Sequence, residues 1–404
     1  MSLALAALAG CGAAPAADES RSVVPDNAYV AGNRLELLVD GPATHKSMRA
    51  AIAQARDHIN LETYILEEGE VADKFAALLE KKAGEGVKVS VLYDAVGSLR
   101  IKAEYLERLE KAGIQVCAFN PVKDLHKVNN RDHRKILVVD GRVAFTGGVN
   151  VSEAYASSSL SIRRRPEKEE KQKAKEGWRD TQVRIEGPVV AQFQRAVLES
   201  WMSQDCGPAP EARYFPALAE RGKSRARLVT ADPQSQESEM YGELLKAIGK
   251  AEGRVWLAFG YFVPDPRAKQ ALMDAARRGV DVRLMLPGFS DFWAPVYAAR
   301  SHYADLLAAG VHIHEWREAL MHAKTAVIDS RWSSVGSTNL DWRSFVHNYE
   351  ADLVVDDAGF ARAMEERFSL DLKAATPIEP EAWRRRGMTS KVKEWVARQW
   401  EYLL

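Results

Sequence analysis

The sequence has no net charge, few cysteines and no long apolar run. Its 56 lysines and arginines are balanced by 56 aspartates and glutamates. No overall positive field therefore attracts nucleic acid, although a basic patch can still form locally. Its apolar stretches are all too short for a helix that crosses a bilayer.

Familiar catalytic and cofactor motifs are also missing. The sequence has no Walker loop, no Rossmann fingerprint and no Gly-x-Ser-x-Gly elbow. His312 and His314 have the spacing of metal ligands, but they fall in an ordinary strand pattern with no third ligand nearby. The sequence therefore predicts neither a metal site nor another cofactor.

The three cysteines, Cys11, Cys117 and Cys206, are too few and too scattered for a disulfide scaffold or a zinc site. The sequence leaves open whether Cys117 and Cys206 pair. Leu8 to Cys11 resembles a bacterial lipobox, which makes Cys11 a lipidation candidate and residues 1–27 a signal and tether. No lysine or arginine precedes the apolar stretch, as export signals normally require, so an arbitrary alanine-rich start is the alternative.

The main positive feature is a motif that occurs twice. Each copy has a His, a Lys two residues later, an Asp five residues after that, and an Asn behind a small-residue turn. All four residues are displaced by the same 189 positions (322 − 133 = 189). The copies are His133, Lys135, Asp140 and Asn150, and His322, Lys324, Asp329 and Asn339.

Strand and helix patterns follow one another in the same order around both copies, which predicts α/β layering in each half. The predicted divisions are an N-terminal domain at 28–204, a linker at 205–224, a C-terminal domain at 225–377 and an amphipathic helix at 378–404. Residues 157–176 form a polar insertion, read as a solvated loop or, alternatively, as a site for anionic headgroups. The terminal helix suits either an anionic lipid surface or packing on its own domain.

Two such copies face to face would place one imidazole on each side of a phosphorus atom. One histidine would attack to form a phosphohistidine, and the other would act as acid and base. Lys135 and Lys324 would supply the charge that a metal otherwise gives. Asn150, Asn339, Gly148 and Ser337 are the other predicted phosphate-binding residues, helped by a helix that begins at Asn150.

A nucleophilic histidine needs an acceptor at its other ring nitrogen, and Asp180 and Glu350 are the candidates. Their spacing from the two histidines favours pairing within each half. Asp140 and Asp329 belong to the motif and are counted as catalytic candidates. Their place at the end of a strand favours a turn-capping role.

The doubled motif resembles that of the phospholipase D superfamily and, more narrowly, of bacterial cardiolipin synthases. The narrower likeness rests on Leu61-Glu62-Thr63-Tyr64, Tyr93-Asp94, Gly177-Trp178-Arg179-Asp180, Tyr261-Phe262-Val263-Pro264-Asp265 and Asn348-Tyr349-Glu350. It implies two α/β lobes, each a mixed sheet flanked by helices, related by pseudo-two-fold symmetry around one shared active site. Many members carry two N-terminal transmembrane helices, so this chain is more similar to the short, peripheral type.

The resemblance also implies metal-independent phosphatidyl transfer between two phosphatidylglycerol molecules with release of glycerol. His133 would be the nucleophile and His322 the acid and base. The alternatives are a phospholipase D that forms phosphatidic acid, a nuclease, which the balanced charge disfavours, and a non-catalytic lipoprotein. We expect a bacterial membrane-associated protein, either a periplasm-facing lipoprotein or a cytoplasmic peripheral one. The oligomeric state stays open.

Overall fold

The computed structural model describes residues 27–122, 129–159, 177–233, 238–290 and 293–399. Cys11, most of the predicted insertion at 157–176 and the last turn of the predicted C-terminal helix lie outside these residues. No helix of the described ranges is both long enough and apolar enough to cross a membrane.

The first half alternates strands and helices. Its strands are β1 (Val30–Val39), β2 (His58–Thr63), β3 (Lys88–Asp94), β4 (Gln115–Phe119), β5 (Arg131–Asp132), β6 (Ile136–Val139), β7 (Val143–Gly147) and β8 (Thr181–Glu186). Its helices are α1 (Asp40–Ala53), α2 (Glu70–Gly84), α3 (Ala103–Lys111) and α4 (Val190–Met202), with a short 3-10 helix at Glu153–Tyr155.

The second half repeats this order and then adds helices. Its strands are β9 (Ser224–Ala231), β10 (Arg254–Phe259), β11 (Asp281–Pro287), β12 (His312–Trp316), β13 (Lys324–Ile328), β14 (Trp332–Gly336), β15 (Asn348–Asp356) and β16 (Thr376–Pro377). Its helices are α5 (Glu239–Lys250), α6 (Pro266–Arg277), α7 (Trp293–Ala308), α8 (Trp342–Val346), α9 (Ala358–Leu372), α10 (Pro380–Arg384) and α11 (Met388–Arg398).

The two halves share one continuous sheet. Its strand order is β16-β12-β11-β10-β13-β14-β15-β9, then β1-β8-β7-β6-β2-β3-β4, so the order in one half reverses that in the other. The seam is the antiparallel pair of β1 and β9. This arrangement confirms the predicted α/β fold with two related lobes.

Burial explains why the halves do not separate into independent bodies. One apolar cluster contains Val183 and Phe193 of the first half together with Leu353 and Phe360 of the second. The predicted linker corresponds to an irregular connection between α4 and β9, and the Cys117–Cys206 disulfide joins the start of that connection to β4. The two Cα atoms of the disulfide lie 5.5 Å apart.

The parallel strands decide where a site can form. β2, β3 and β4 run parallel to one another, as do β10, β11 and β12. In each half, the carboxyl ends of these strands therefore lie on the same side of the sheet, where the loops that follow them can meet. We call this side, formed by the strand ends and not by an edge strand, the mouth edge.

Candidate active site

His133 and His322 come together at the mouth edge. Their ring centroids are 6.5 Å apart and the ring planes are inclined by 72°. Both side chains are almost fully buried, with 7% and 5% of the residue surface exposed. The two copies of the motif therefore meet in one shared centre, as the repeat predicts.

Short backbone bridges between the halves hold both histidines. β5, which leads into His133, pairs with Asn348 and Tyr349, and the His133 N–H donates to the carbonyl of Tyr349 at 2.9 Å. The His322 N–H donates to the carbonyl of Arg179 at 2.8 Å. Each catalytic segment is thus bound to the chain just before the other half's candidate orienting carboxylate.

The carboxylates consequently pair across the halves. His133 Nδ1 lies 2.9 Å from Glu350 Oε2, and His322 Nδ1 lies 2.8 Å from Asp180 Oδ2. Both residues are correctly predicted as neighbours of the histidines, but the pairing within each half is wrong. The bridges set this crossing, because they align each histidine with the other half's β8 or β15 segment.

A hydroxyl side chain, which sequence reasoning missed, lies behind each carboxylate. Tyr155 is fully buried, and its hydroxyl lies 3.2 Å from Asp180 Oδ2 and 3.0 Å from His322 Nδ1. Ser344 interacts with Glu350 in the other unit. Both hydroxyl residues follow their motif histidine by 22 positions (155 − 133 and 344 − 322), so the repeat contained a signal for them.

Two of the predicted phosphate-binding residues support the carboxylates instead. A Cβ atom at Gly148 would lie 2.1 Å from Asp180 Oδ1, so only glycine fits there. Ser337 accepts the N–H of Ala351 at 2.9 Å and interacts with Glu350. We therefore correct the assignment of Gly148 and Ser337, since their contacts are with the orienting groups.

Asn150 and Asn339 hold the segments that follow β2 and β10. Asn150 Oδ1 accepts the N–H of Ile65 at 3.0 Å, and Asn339 Oδ1 accepts the N–H of Tyr261 at 3.1 Å. No helix begins at Asn150, which corrects that expectation. The backbone of Val151 instead pairs with residues 65–67, and only the 3-10 helix at Glu153–Tyr155 follows.

The two lysines provide buried positive charge beside the histidines. Lys135 Nζ donates to the carbonyl of His133, and Lys324 Nζ donates to that of His322. Burial lowers the pKa of Lys135 to about 7 and that of Lys324 to about 8. A phosphate anion between them would restore their full charge, because an opposite charge raises the pKa of an ammonium group.

The pKa values of both histidines are lowered, which favours the neutral imidazole. Burial, followed by the charge of Lys135, lowers the pKa of His133 well below that of an ordinary imidazole. Burial also lowers the pKa of His322, to about 4.

The pKa values of the two orienting carboxyls are shifted in opposite directions. Burial opposes ionisation of Asp180, but its hydrogen bond from His322 brings its pKa below the ordinary value. Burial raises the pKa of Glu350. The ionised Asp180 makes the unit with His322 better suited to carry a proton.

Asp140 and Asp329 lie at the far end of their strands. Asp140 accepts backbone N–H groups of residues 56–58, and Asp329 accepts those of residues 252–254. Their φ angles of 53° and 50° are left-handed. The turn-capping alternative is confirmed, and their assignment as catalytic candidates is corrected.

Aromatic rings line the histidines. The Tyr64 ring lies 5.0 Å from that of His133, while Trp178 and Tyr261 lie 4.9 and 6.4 Å from that of His322. These three rings belong to the motifs of the family resemblance, and each is partly exposed beside the centre.

Arg179 fixes the strand that carries Asp180. Its guanidinium is buried between Asp40, at 3.5 Å, and Asp371, at 2.7 Å. Sequence reasoning quoted this arginine only as part of a motif, and the structure gives it the role of joining α1 to α9 behind the site.

Within the described ranges, no three His, Cys, Asp or Glu side chains are grouped so that they could hold a metal ion. His312 is exposed and His314 is half-buried on β12.

Comparison with known proteins places this geometry in a family. The profile described as "Cardiolipin synthase, PLD-like domain" matches residues 48–162 and 244–372. A cardiolipin synthase 1 from Bacillus anthracis is 32% identical over 370 residues, which cover 89% of this chain and 70% of that protein. A cardiolipin synthase from Listeria monocytogenes is 33% identical over 372 residues, covering 91% and 74%.

A solved structure supports the fold. The phosphatidylserine synthase of Haemophilus influenzae superimposes with a TM-score of 0.67 at 13% identity, covering 93% of this chain and 97% of that one. Profile, sequence and fold agree, and the chain belongs to the cardiolipin synthase family of phospholipase D-like proteins.

Proposed function

We propose that the protein synthesises cardiolipin by transferring a phosphatidyl group from one phosphatidylglycerol to another. The observation that carries this proposal is the pair of buried histidines, 6.5 Å apart, each held at Nδ1 by a carboxylate. Nε2 is then the nitrogen left to react on each ring. Two such nitrogens on opposite sides of a phosphorus suit in-line displacement.

In the first step, Nε2 of His133 attacks the phosphorus of phosphatidylglycerol. The bound phosphodiester anion raises the pKa of His322, as a nearby opposite charge does, so that its Nε2 carries a proton. The bond between phosphorus and the headgroup oxygen breaks, and His322 Nε2 gives this proton to the departing glycerol. Asp180 stabilises the imidazolium of His322 through their hydrogen bond. Lys135 and Lys324 neutralise the charge that develops on the phosphoryl oxygens.

In the second step, His322 takes the proton from the terminal hydroxyl of a second phosphatidylglycerol. That hydroxyl attacks the phosphohistidine, the P–N bond breaks, and His133 is released as a neutral imidazole. The lowered pKa of His133 is compatible with its role as nucleophile, because the neutral ring is the reactive form.

The test is product analysis. The purified protein is incubated with phosphatidylglycerol vesicles that carry label in the glycerol headgroup and, separately, in the acyl chains. We expect labelled cardiolipin and free glycerol in equal amounts. Phosphatidic acid without cardiolipin would establish the hydrolase alternative, and a His133→Ala/His322→Ala control should form neither product.

We further propose that the protein works on the outer face of a bacterial membrane, with Cys11 as the lipid anchor. The disulfide between Cys117 and Cys206 supports this location, because disulfides persist in oxidising compartments. Globomycin-sensitive processing, absent in a Cys11→Ser variant, is the expected result in cells.

A further inference from the structure

We propose that α11 and the loops of the mouth edge form one docking surface for an anionic phospholipid bilayer, which brings the histidine centre to the headgroup layer. The proposal deepens the proposed function and rests on it for the identity of the substrate as a bilayer lipid. We call this surface the docking face. It consists of α11 and the exposed apolar residues Leu99, Val122, Trp293 and Val346.

The helix α11 has one side packed on the protein. Ala397 is buried with Val263, Ala298 and the partly buried Tyr297, and the buried Glu394 forms an ion pair with Arg386 at 2.6 Å. Lys393 lies 5.3 Å from the ring of Tyr297. The helix is therefore held in place by α7 and is not a loose tail.

The other side of α11 is apolar and exposed. Met388, Val392, Trp395 and Val396 are 72%, 55%, 64% and 36% exposed. Their spacing of i, i+4, i+7 and i+8 places them on one face of the helix. An apolar face of this size is unfavourable when it is exposed to water, so we expect an apolar partner to cover it.

Charge selects the partner. Residues 384–399 contain six basic side chains and one acidic one, Glu394, which is already paired with Arg386. The basic residues are Arg384, Arg385, Arg386, Lys391, Lys393 and Arg398. A tryptophan-containing apolar face flanked by cations matches the boundary between anionic headgroups and acyl chains.

The packed side of α11 connects this surface to the active site. Val263, which belongs to the same apolar cluster as Ala397, is two residues from Tyr261, whose ring lies 6.4 Å from that of His322. Phe289 and Leu320 form a cluster with Trp178, and α7 begins with Trp293 shortly after Phe289. The exposed helix thus adjoins the aromatic rings around His322.

Exposed apolar residues also occur on the other side of the mouth. Leu99, 67% exposed, lies in the loop after β3. Gly97, two residues earlier in this loop, is so close to Tyr64 that a Cβ there would lie 2.2 Å from the Tyr64 carbonyl oxygen. Val122 follows β4, and Val346 ends α8 beside the strand of Glu350. Both lobes therefore present apolar side chains at the edge where the histidines lie.

The experiment measures partitioning of the full-length chain, as a Cys11→Ser variant so that no acyl anchor contributes, onto sedimented vesicles. Vesicles of phosphatidylglycerol and phosphatidylcholine are compared with vesicles of phosphatidylcholine alone. We expect tighter binding to the anionic vesicles. A further Trp395→Ser/Val392→Ser change should weaken that binding by on the order of ten-fold or more, because it removes two large apolar side chains from the interface.

Matched controls are Met202→Ser and Leu370→Ser, which remove exposed apolar side chains (68% and 51%) outside the docking face and should not change binding. Turnover of monomeric short-chain phosphatidylglycerol should be the same in all variants.

Equal vesicle binding with and without Trp395 would overturn the proposal. So would a dimer, detected by light scattering, that dissociates in the α11 variant, since a second copy would then be the partner. Loss of short-chain turnover in the parent protein would count against the proposed function instead.

Discussion

Gly148 is in close contact with both the backbone and the side chain of the segment that carries Asp180. The Gly148 N–H donates to the carbonyl of Thr181, while the Asp180 carboxylate occupies the space of the missing side chain. The orientation of His322 therefore depends on a residue that has no side chain. Gly336 has the same relation to Asp352, with a Cβ distance of 2.1 Å to Oδ1.

We predict that Gly148→Ala lowers kcat by roughly 10²-fold, because the new methyl group must displace the Asp180 carboxylate and a displacement of about 1 Å can have that effect. The measurement is kcat with phosphatidylglycerol, together with the thermal midpoint. Overpacking should also lower stability by about 1–3 kcal/mol.

Gly242→Ala is the control. Gly242 lies on the exposed side of α5, with no atom within 4 Å of the added Cβ. Alanine is favoured over glycine inside a helix by about 0.5–1 kcal/mol, so this variant should keep full activity with equal or higher stability. Wild-type kcat in Gly148→Ala would contradict the positioning role.

At the level of elements, two short backbone bridges between the halves determine which carboxylate pairs with which histidine. The Arg131–Asp132 strand pairs with the start of β15, and Met321 pairs with Arg179. Each reactive unit therefore takes its histidine from one half and its carboxylate from the other.

The crossed pairing predicts the behaviour of combined variants. In a His322→Ala protein given a substrate with a good leaving group, phosphohistidine should accumulate, since no acid is needed. Adding Glu350→Gln should slow its formation by up to about 10⁴-fold, the effect of losing the carboxylate behind a catalytic histidine in serine proteases. Adding Asp180→Asn should change little, because its partner is already absent.

Quench-flow with phosphohistidine detection measures these rates, and circular dichroism checks that each variant folds. Pairing within each half would give the reverse order, with Asp180→Asn slow and Glu350→Gln unaffected. A His133→Ala protein should form no phosphohistidine in any combination. Intermediate found there would mean that His322 is the nucleophile.

The sequence predicted which residues react, but it did not predict which carboxylate accepts the hydrogen bond of which histidine. The offset of 189 identified both histidines, both lysines and the correspondence of the halves, because like residues at like positions reveal symmetry. Symmetry alone does not say which half supplies the acceptor. The crossing depends on non-local backbone pairs such as His133 with Tyr349, which have no periodic signal.

Local patterns failed where tertiary pairing took over. Asn150 follows a glycine turn that suits the start of a helix, yet Val151 pairs with the segment after β2 and stays extended. The α/β layering of each half was predicted correctly, because strands such as β2 and β10 are almost wholly buried and their pattern is visible in the local sequence.

For the whole molecule, the Cys117–Cys206 disulfide closes a long segment of chain. The two cysteines are 89 residues apart, and they pack against the apolar cluster of Trp201. Tyr349, the neighbour of Glu350, packs against the same cluster. The cross-link therefore ties the start of the interdomain connection to the cluster that lies beside one reactive unit.

We predict that Cys117→Ser/Cys206→Ser lowers the free energy of unfolding by about 2–4 kcal/mol, mainly because a long loop in the unfolded chain is no longer closed. Urea unfolding followed by circular dichroism measures the change. Reductant should lower the urea midpoint of the parent protein to that of the double variant, and it should leave the midpoint of the double variant unchanged. Identical midpoints with and without reductant in the parent would show that the bond contributes no stability.

The crossed pairing also determines the effect of a truncation that removes one half of the protein. A stop codon or deletion that removes the second half takes away one histidine and, with Glu350, the acceptor of the other. The surviving half then retains a histidine and a carboxylate that never belonged together. A monomeric fragment of either half therefore contains no complete pair of reactive histidine and orienting carboxylate.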